Sequence, residues 1–211
     1  MIVHASILTE TQSSVLRIVG PAARRAGFYL AGGTALALRF GHRRSEDFDW
    51  FTSVLPRPDM LLANLQKQSV PIEKTQVQEG TVIGWVNAVK VSFFEYRYPL
   101  LDPFDRWNDY DTDIASVRDL GEMKLLAIAQ RGSRKDFVDV YELLQNGVTL
   151  SSMLEDFREK FKTDSVSALR GLTYFDDAES EPMPTMLADR HWQSIRTTLQ
   201  AAVRESVYGN S

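Results

Sequence analysis

The apolar positions change rhythm midway along this chain. Residues 11–26 alternate polar and apolar positions at helical spacing, and Phe28 to Ala31 form a short apolar run that predicts a strand leading straight into Gly32-Gly33-Thr34. The paired glycines break the strand, and Thr34 is placed to cap a short helix, TALALRF, that stops near Gly41. The following HRRSEDFDWF alternates with the period of a strand, which puts Asp47, Asp49 and Phe51 on one face. Pro56 and Pro58 mark a loop, with Asp59 as a candidate cap for DMLLANLQKQ. Segments 72–78, 81–86 and 88–96 are rich in Val, Ile, Phe and Trp, with turns at Gly80 and Asn87. They predict an antiparallel meander extending the sheet that bears the aspartates.

Beyond the turn-rich, acidic YPLLDPFDRWNDYDT the rhythm becomes helical. Ser116 opens a capping signature, S-V-R-D, for a helix over 117–131 that Gly132 ends. In RKDFVDVYELLQ, Phe137, Val140, Tyr141 and Leu144 fall at the i, i+3, i+4, i+7 spacing of a buried stripe that closes at Asn146-Gly147. Further helices are expected over 151–161, 164–173 and 188–206, with DDAESEPMP as an exposed acidic linker between the last two. The class is α+β: a small mixed sheet flanked by helices over residues 1–115, then a helical region over 116–211 that completes a cleft.

Composition narrows the chemistry. The chain has no cysteine, which excludes disulfides, thiolate metal sites and a thiol nucleophile. Its three histidines, His4, His42 and His191, are scattered, so a bound metal would be held by oxygen, which favours a hard cation such as Mg2+. The N-terminal segment lacks the basic start and long apolar run of a secretory signal, and no stretch is long enough to span a membrane, so a cytoplasmic location is expected. A net charge of −4 argues against a protein that coats nucleic acid over its whole surface, while leaving room for a local basic site.

On a strand, Asp47 and Asp49 project from the same face with Cα atoms about 7 Å apart, close enough to share metal ions. Nucleotidyl transfer uses such pairs, because one or two Mg2+ ions neutralise the triphosphate and stabilise the attacking and leaving oxygens. An isolated D-x-D is more often a solvated surface pair. The Gly32-Gly33-Thr34 turn is by itself more often an ordinary strand-to-helix turn. It can also present unpaired backbone N–H groups and a hydroxyl to an anion. The two features share one strand–helix–strand unit, a phosphate cradle beside a cation site.

The run LAGGTALALRFGHRRSEDFDWF resembles the opening motif of the AbiEii-type nucleotidyltransferase toxins, a branch of the polymerase-β-like superfamily. The resemblance continues in order through VKVSFFEY, SVRDLGEMKLLAIAQRGSRKDFVDVYELL and LTYFDDAESEPMP, spanning residues 28 to about 184. It implies a polymerase-β-like fold and, for some members, transfer of nucleotides to RNA such as tRNA; the leading expectation for this chain is transfer of an NMP from an NTP to an RNA or protein hydroxyl with release of pyrophosphate. The resemblance further implies the toxin half of a toxin–antitoxin pair with a cognate antitoxin. Position by position, Gly32, Gly33 and Thr34 match the phosphate turn, Asp47 and Asp49 the metal ligands, and Lys124 the lysine of the middle helix. Arg134, Lys135 and Asp136 match the late basic-acidic motif, and Arg43 and Ser45 a pattern beside the aspartates.

Each of these positions has a physical reading. Lys124 can neutralise the triphosphate, and Asp136 can position that lysine or help deprotonate the acceptor. Arg43 can fork onto a phosphate or form a surface salt bridge, and Asp139, one turn beyond Asp136, can join the site or flank the core. One departure stands out: in Lys90-Val91-Ser92-Phe93-Phe94 a serine holds the place where many polymerase-β-like enzymes carry a third carboxylate, and Glu95 points to the other face. A second reading is therefore a nucleotide-binding regulatory module with a degenerate site. A nucleotide-sugar glycosyltransferase is disfavoured by the glycine turn and the R-K-D motif.

Overall fold

The computed structural model of the protein describes residues 3–209. Thr9 and Gln12 cap each other in a reciprocal box that starts helix α1 (Glu10–Arg25). Strand β1 (Tyr29–Ala31) passes without a loop into α2 (Gly32–Phe40), followed by β2 (Phe48–Thr52) and α3 (Pro58–Lys67). The meander is β3 (Glu73–Gln78), β4 (Thr81–Val86) and β5 (Val89–Glu95), and the acidic stretch after it holds two short strands, β6 (Asp105–Trp107) and β7 (Thr112–Ile114). The helical half comprises α4 (Val117–Gln130), α5 (Arg134–Gln145), α6 (Leu150–Phe161), α7 (Val166–Gly171), α8 (Asp176–Glu179) and α9 (Trp192–Tyr208).

The seven strands form one mixed sheet in the order β3-β4-β5-β2-β1-β7-β6. Strand β2 runs antiparallel to β1 and parallel to β5, which joins the meander to the strand carrying Asp49 as expected. Along β2 burial alternates, with Phe48, Trp50 and Thr52 in the interior and Asp49 and Phe51 half-buried on the opposite face. Phe48, Trp50, Phe28 and Phe93 are each almost completely buried, and each such side chain contributes about 1.5–3 kcal/mol. This packing fixes the register, since a one-residue slip would carry Asp49 into the core.

Several expectations are corrected. Thr34 does not cap α2: the helix begins two residues earlier, with Ala31 at its N-cap. The strand drawn over HRRSEDFDWF shortens to its last residues, because Arg43 pairs only with Met186 in a single bridge and Arg44 N–H donates to the Thr185 carbonyl at 2.8 Å. The acidic stretch DDAESEPMP is therefore no free linker: its first four residues form α8, and Thr185 and Met186 directly after it pair with the segment before β2. Asp59 lies in the first turn of α3, after Arg57 at the N-cap and Pro58. Helix α5 is buried on more than one stripe: Phe137, Val140 and Tyr141 are joined by Val138 and Leu143, because α2, α4 and α9 all pack against it. Leu144, at the stripe's end, is half-buried.

Candidate active site

At the end of β1 the chain reverses into α2 through Gly32, whose φ of +68° suits glycine. A Cβ there would lie 2.9 Å from Asp49 Oδ2, so the missing side chain also gives the carboxylate its room. Gly33 follows in the first turn of α2, where backbone N–H groups lack intrahelical partners. Asp47 sits just before β2, tied to α2 by the Thr34 hydroxyl, which donates to its carbonyl. The Thr34 hydroxyl is thus spent on the backbone rather than aimed at a ligand.

These groups open into a cleft of about 560 Å³ between the sheet face and α4 and α5. Of the residues singled out from the sequence, Gly32, Gly33, Arg43, Ser45, Asp47, Asp49, Lys124, Lys135 and Asp136 all line it. Arg134 does not: its guanidinium turns away, donating to the Ala178 and Glu179 carbonyls and stacking over Trp192, and so anchors α8 and α9. Arg43 reaches the cleft wall, but its fork closes on Asp139, with Nε 2.7 Å from Oδ1 and Nη2 2.8 Å from Oδ2. It packs beneath Gly33, where a Cβ would strike Nη2.

Asp139 is the hub of a buried network. It also takes His42 Nε2 at 2.8 Å and Lys124 Nζ at 2.7 Å, while Lys124 bonds Asp136 Oδ1 at 2.8 Å. Burial alone would raise the Asp139 carboxyl, yet Lys124 and Arg43 outweigh it and hold the group well below the usual carboxylate range. Asp136 is likewise lowered, with Lys124 overcoming the burial. Burial opposes the charge of Lys124 and the two aspartates reverse that, so its ammonium stays protonated with one donor left for the cleft. Of the two roles expected of Asp136, this geometry fits positioning Lys124; a carboxyl held low is a poor base.

Asp49 behaves differently. Burial first, and the charge of Asp47 second, raise its pKa, while the Ser92 side chain and Lys124 work in the other direction. Ser92 lies directly across from Asp49 in the parallel register, at the position of the missing third carboxylate. Its buried hydroxyl makes no well-formed hydrogen bond but stands near enough to favour the Asp49 anion. Lys90 Nζ is 3.7 Å from Asp47 Oδ2, a loose pairing of half-exposed groups. Two poorly neutralised carboxylates facing one cleft fit a hard divalent cation. Among the described residues no group of three or more His, Asp or Glu forms a closed metal cage, so such an ion would complete its shell with phosphate and water oxygens.

Sequence reasoning missed Lys90, the aromatic wall of Phe51, Phe94 and Tyr96, and the Pro184-Thr185 segment that closes one side. Lys90 and Phe94 lie in the run VKVSFFEY, and Pro184 in LTYFDDAESEPMP; the family resemblance of those runs was the available signal.

The sequence pattern of the family described as "Nucleotidyl transferase AbiEii toxin, Type IV TA system" matches residues 16–99 and 88–207. An uncharacterized protein of Aquifex aeolicus (strain VF5) is 36% identical over 183 residues, covering 84% of this chain and 87% of its own. The fold is similar to that of JHP933 from Helicobacter pylori, at 16% identity and a TM-score of 0.56 over 96% of each chain. It is also similar to MenT4, a nucleotidyltransferase toxin from Mycobacterium tuberculosis H37Rv, at 12% identity and a TM-score of 0.53 over 94% of this chain and 81% of the other. Among the described residues no helix is long and apolar enough to cross a membrane. With the family's sequence pattern running across both the glycine turn and the Lys124–Asp136 pair, the chain belongs to the AbiEii nucleotidyl transferase toxin family and is a nucleotidyltransferase of polymerase-β-like fold.

Proposed function

We propose that the protein moves an NMP from an NTP to an RNA hydroxyl in a Mg2+-dependent reaction, as the toxin of a toxin–antitoxin pair. The observation that carries this is the convergence of Asp47, Asp49, the Gly32-Gly33 turn and Lys124 on one cleft. Asp47 and Asp49 would hold the magnesium, whose charge neutralises the triphosphate when bound. The N–H groups that start α2 receive the β- and γ-phosphates, and Ser45 and exposed Lys135 lie at the same rim. The remaining Lys124 donor reaches the triphosphate from the opposite wall, its direction fixed by Asp136 and Asp139. Arg43 supports the turn from below.

Incubating the protein with labelled NTPs, magnesium and total RNA tests this directly. We expect label on RNA with the wild type and a loss of at least about 100-fold with Asp49→Ala. Absence of transfer to any acceptor by the wild type, with NTP binding intact, would sink the transferase reading in favour of a nucleotide-binding module. Ser92 at the third-carboxylate position is the feature that keeps that second reading in play.

A further inference from the structure

Beyond Asp49 the cleft floor changes from polar to aromatic. Phe51 follows Asp49 by two residues on the same face of β2, and Phe94 stands opposite it on β5, as Ser92 stands opposite Asp49. Their ring centroids are 5.1 Å apart. The series continues outward from Phe51 to Tyr96 at 5.8 Å, from Tyr96 to Tyr98 at 5.1 Å and from Tyr98 to Phe161 at 4.7 Å. Phe94 is half-buried on the cleft wall, and Tyr98 is 42% exposed. A neighbouring aromatic shows the contrast: Tyr29, beside Phe51 on β1, is capped by Phe104 at 4.7 Å and buried. Cations accompany the row: Lys160 lies over the Tyr96 ring at 5.5 Å, Arg97, 79% exposed and paired with Glu95 at 2.6 Å, lies between Tyr96 and Tyr98 in the chain, and exposed Lys162 follows Phe161.

Position along the strand gives this row a direction. The glycine turn lies on the Asp47 side of Asp49 and the rings lie on the other, about 7 Å along β2. In the transfer, a new bond forms between the acceptor oxygen and the α-phosphorus while the bond to the bridging α–β oxygen breaks. Pyrophosphate leaves and the hydroxyl proton passes to solvent. Attacking and leaving oxygens stand roughly in line, so a triphosphate tail on the glycine turn brings the acceptor in from the aromatic side.

We infer that Phe94, Phe51, Tyr96 and Tyr98 form a stacking track for the last bases of a single-stranded RNA acceptor, with Arg97 and Lys162 beside its phosphates. The direction of approach rests on the proposed transfer; the stacking surface does not. Flat half-exposed rings interleaved with cations suit single-stranded nucleic acid, because every base offers a π-face and every nucleotide a negative charge.

The test is fluorescence anisotropy with a labelled single-stranded RNA of about ten nucleotides, a length that spans one typical single-strand site. The full chain is compared as wild type, Phe94→Ala, Phe94→Leu and Phe94→Trp. Loss of the ring should weaken binding by about 5- to 150-fold in both the Ala and Leu variants, while Trp restores it to near wild type. The Leu variant keeps apolar bulk, so its loss reads out the ring rather than the fold. Wild-type affinity in Phe94→Leu overturns the track, as does equal affinity of the wild type for a duplex of the same sequence, which phosphate contacts alone would give. Binding lost in Phe94→Leu while the wild type transfers nothing overturns the transferase reading and leaves the track. Transfer to RNA that is equal in wild type and Phe94→Leu does the reverse.

Discussion

Helix α4 carries a buried charge cluster on each side, and the two are built on opposite terms. Toward the cleft, Lys124 and Arg43 meet Asp136 and Asp139, two cations against two anions, and both oxygens of Asp139 are engaged. Toward α6, Lys160 pairs with Asp119, which is already taken up by the Ser116 hydroxyl and the backbone N–H groups of Leu101 and Asp102. Glu122, two residues from Lys124 on the same helix, is buried with both carboxylate oxygens unpartnered. Burial first, and the charge of Asp156 second, push its pKa up to about 9. The cleft thus keeps its charges by matching them, and the far side of α4 sheds one by holding a proton. A site that must present a fixed cation to a triphosphate needs the first arrangement.

The strongest way to break this comparison is to unbalance the matched side. Asp139→Ala leaves Arg43 and Lys124 buried with Asp136 as their remaining acidic partner, and removing one partner of such a network costs about 3–5 kcal/mol. That is a large fraction of the stability of an ordinary domain. Urea unfolding of the variant should show a midpoint far below that of the wild type. A loss under about 1 kcal/mol would mean that solvent reaches the network and that the matching of charge is incidental.

Glu122→Gln probes the other side and should act in the opposite sense. The folded protein keeps Glu122 protonated up to about pH 9, whereas the unfolded chain releases that proton above its ordinary value of 4.5. The folded state therefore binds more protons across this window, and stability falls as pH rises through it. Glutamine removes the penalty, so we expect the variant to gain about 1–3 kcal/mol at about pH 8 and almost nothing at about pH 4. Lys160, Arg118, Asp119 and Asp156 are the charges that surround this group. A gain of equal size at both pH values would assign the effect to packing instead of titration.

What could be read from the sequence follows the same division between local and distant. The glycine turn, the placing of Asp49 on a strand face, the Ser116 cap and the outlines of α1, α4, α5 and α6 all come from patterns within a few residues, and the structure bears them out. The bond between Arg43 and Asp139 joins residues 96 apart, and no local pattern encodes it. For the same reason, the sequence leaves Arg43 open between a phosphate and a surface salt bridge and puts Arg134 at the nucleotide, where the structure pairs Arg43 with buried Asp139 and turns Arg134 away: a cation's charge is legible, but its partner is set by tertiary packing. The short β6 and β7, DRW and TDI, lack the apolar run that makes the equally short β1, YLA, legible, and they lie in a turn-rich acidic stretch. DDAESEPMP reads as an exposed linker because the pairing that ties it down, of Thr185 and Met186 with Arg44 and Arg43, lies just beyond its end and joins residues far apart in sequence.

The smallest expected effect is the most discriminating. Arg118, 37% exposed, pairs with Asp156 through Nε at 2.7 Å and lies 3.5 Å from Asp102 and 3.4 Å from Glu159. Solvent screens such a network, so Arg118→Ala should cost no more than about 1 kcal/mol near pH 8, and less in high salt. Arg118 also lowers the pKa of Glu122 while Asp156 raises it, so its removal leaves Asp156 less opposed. Near pH 8 Glu122 is already neutral and hardly senses the loss; near pH 10 the wild type must ionise it, and the missing guanidinium then adds to the cost. The penalty of Arg118→Ala should therefore grow between those two pH values, and it should stop growing in a Glu122→Gln background, where nothing remains to ionise at that position. A pH-independent cost in both backgrounds would show that the unpartnered carboxyl is reached by water after all, and the contrast between the two sides of α4 would be lost.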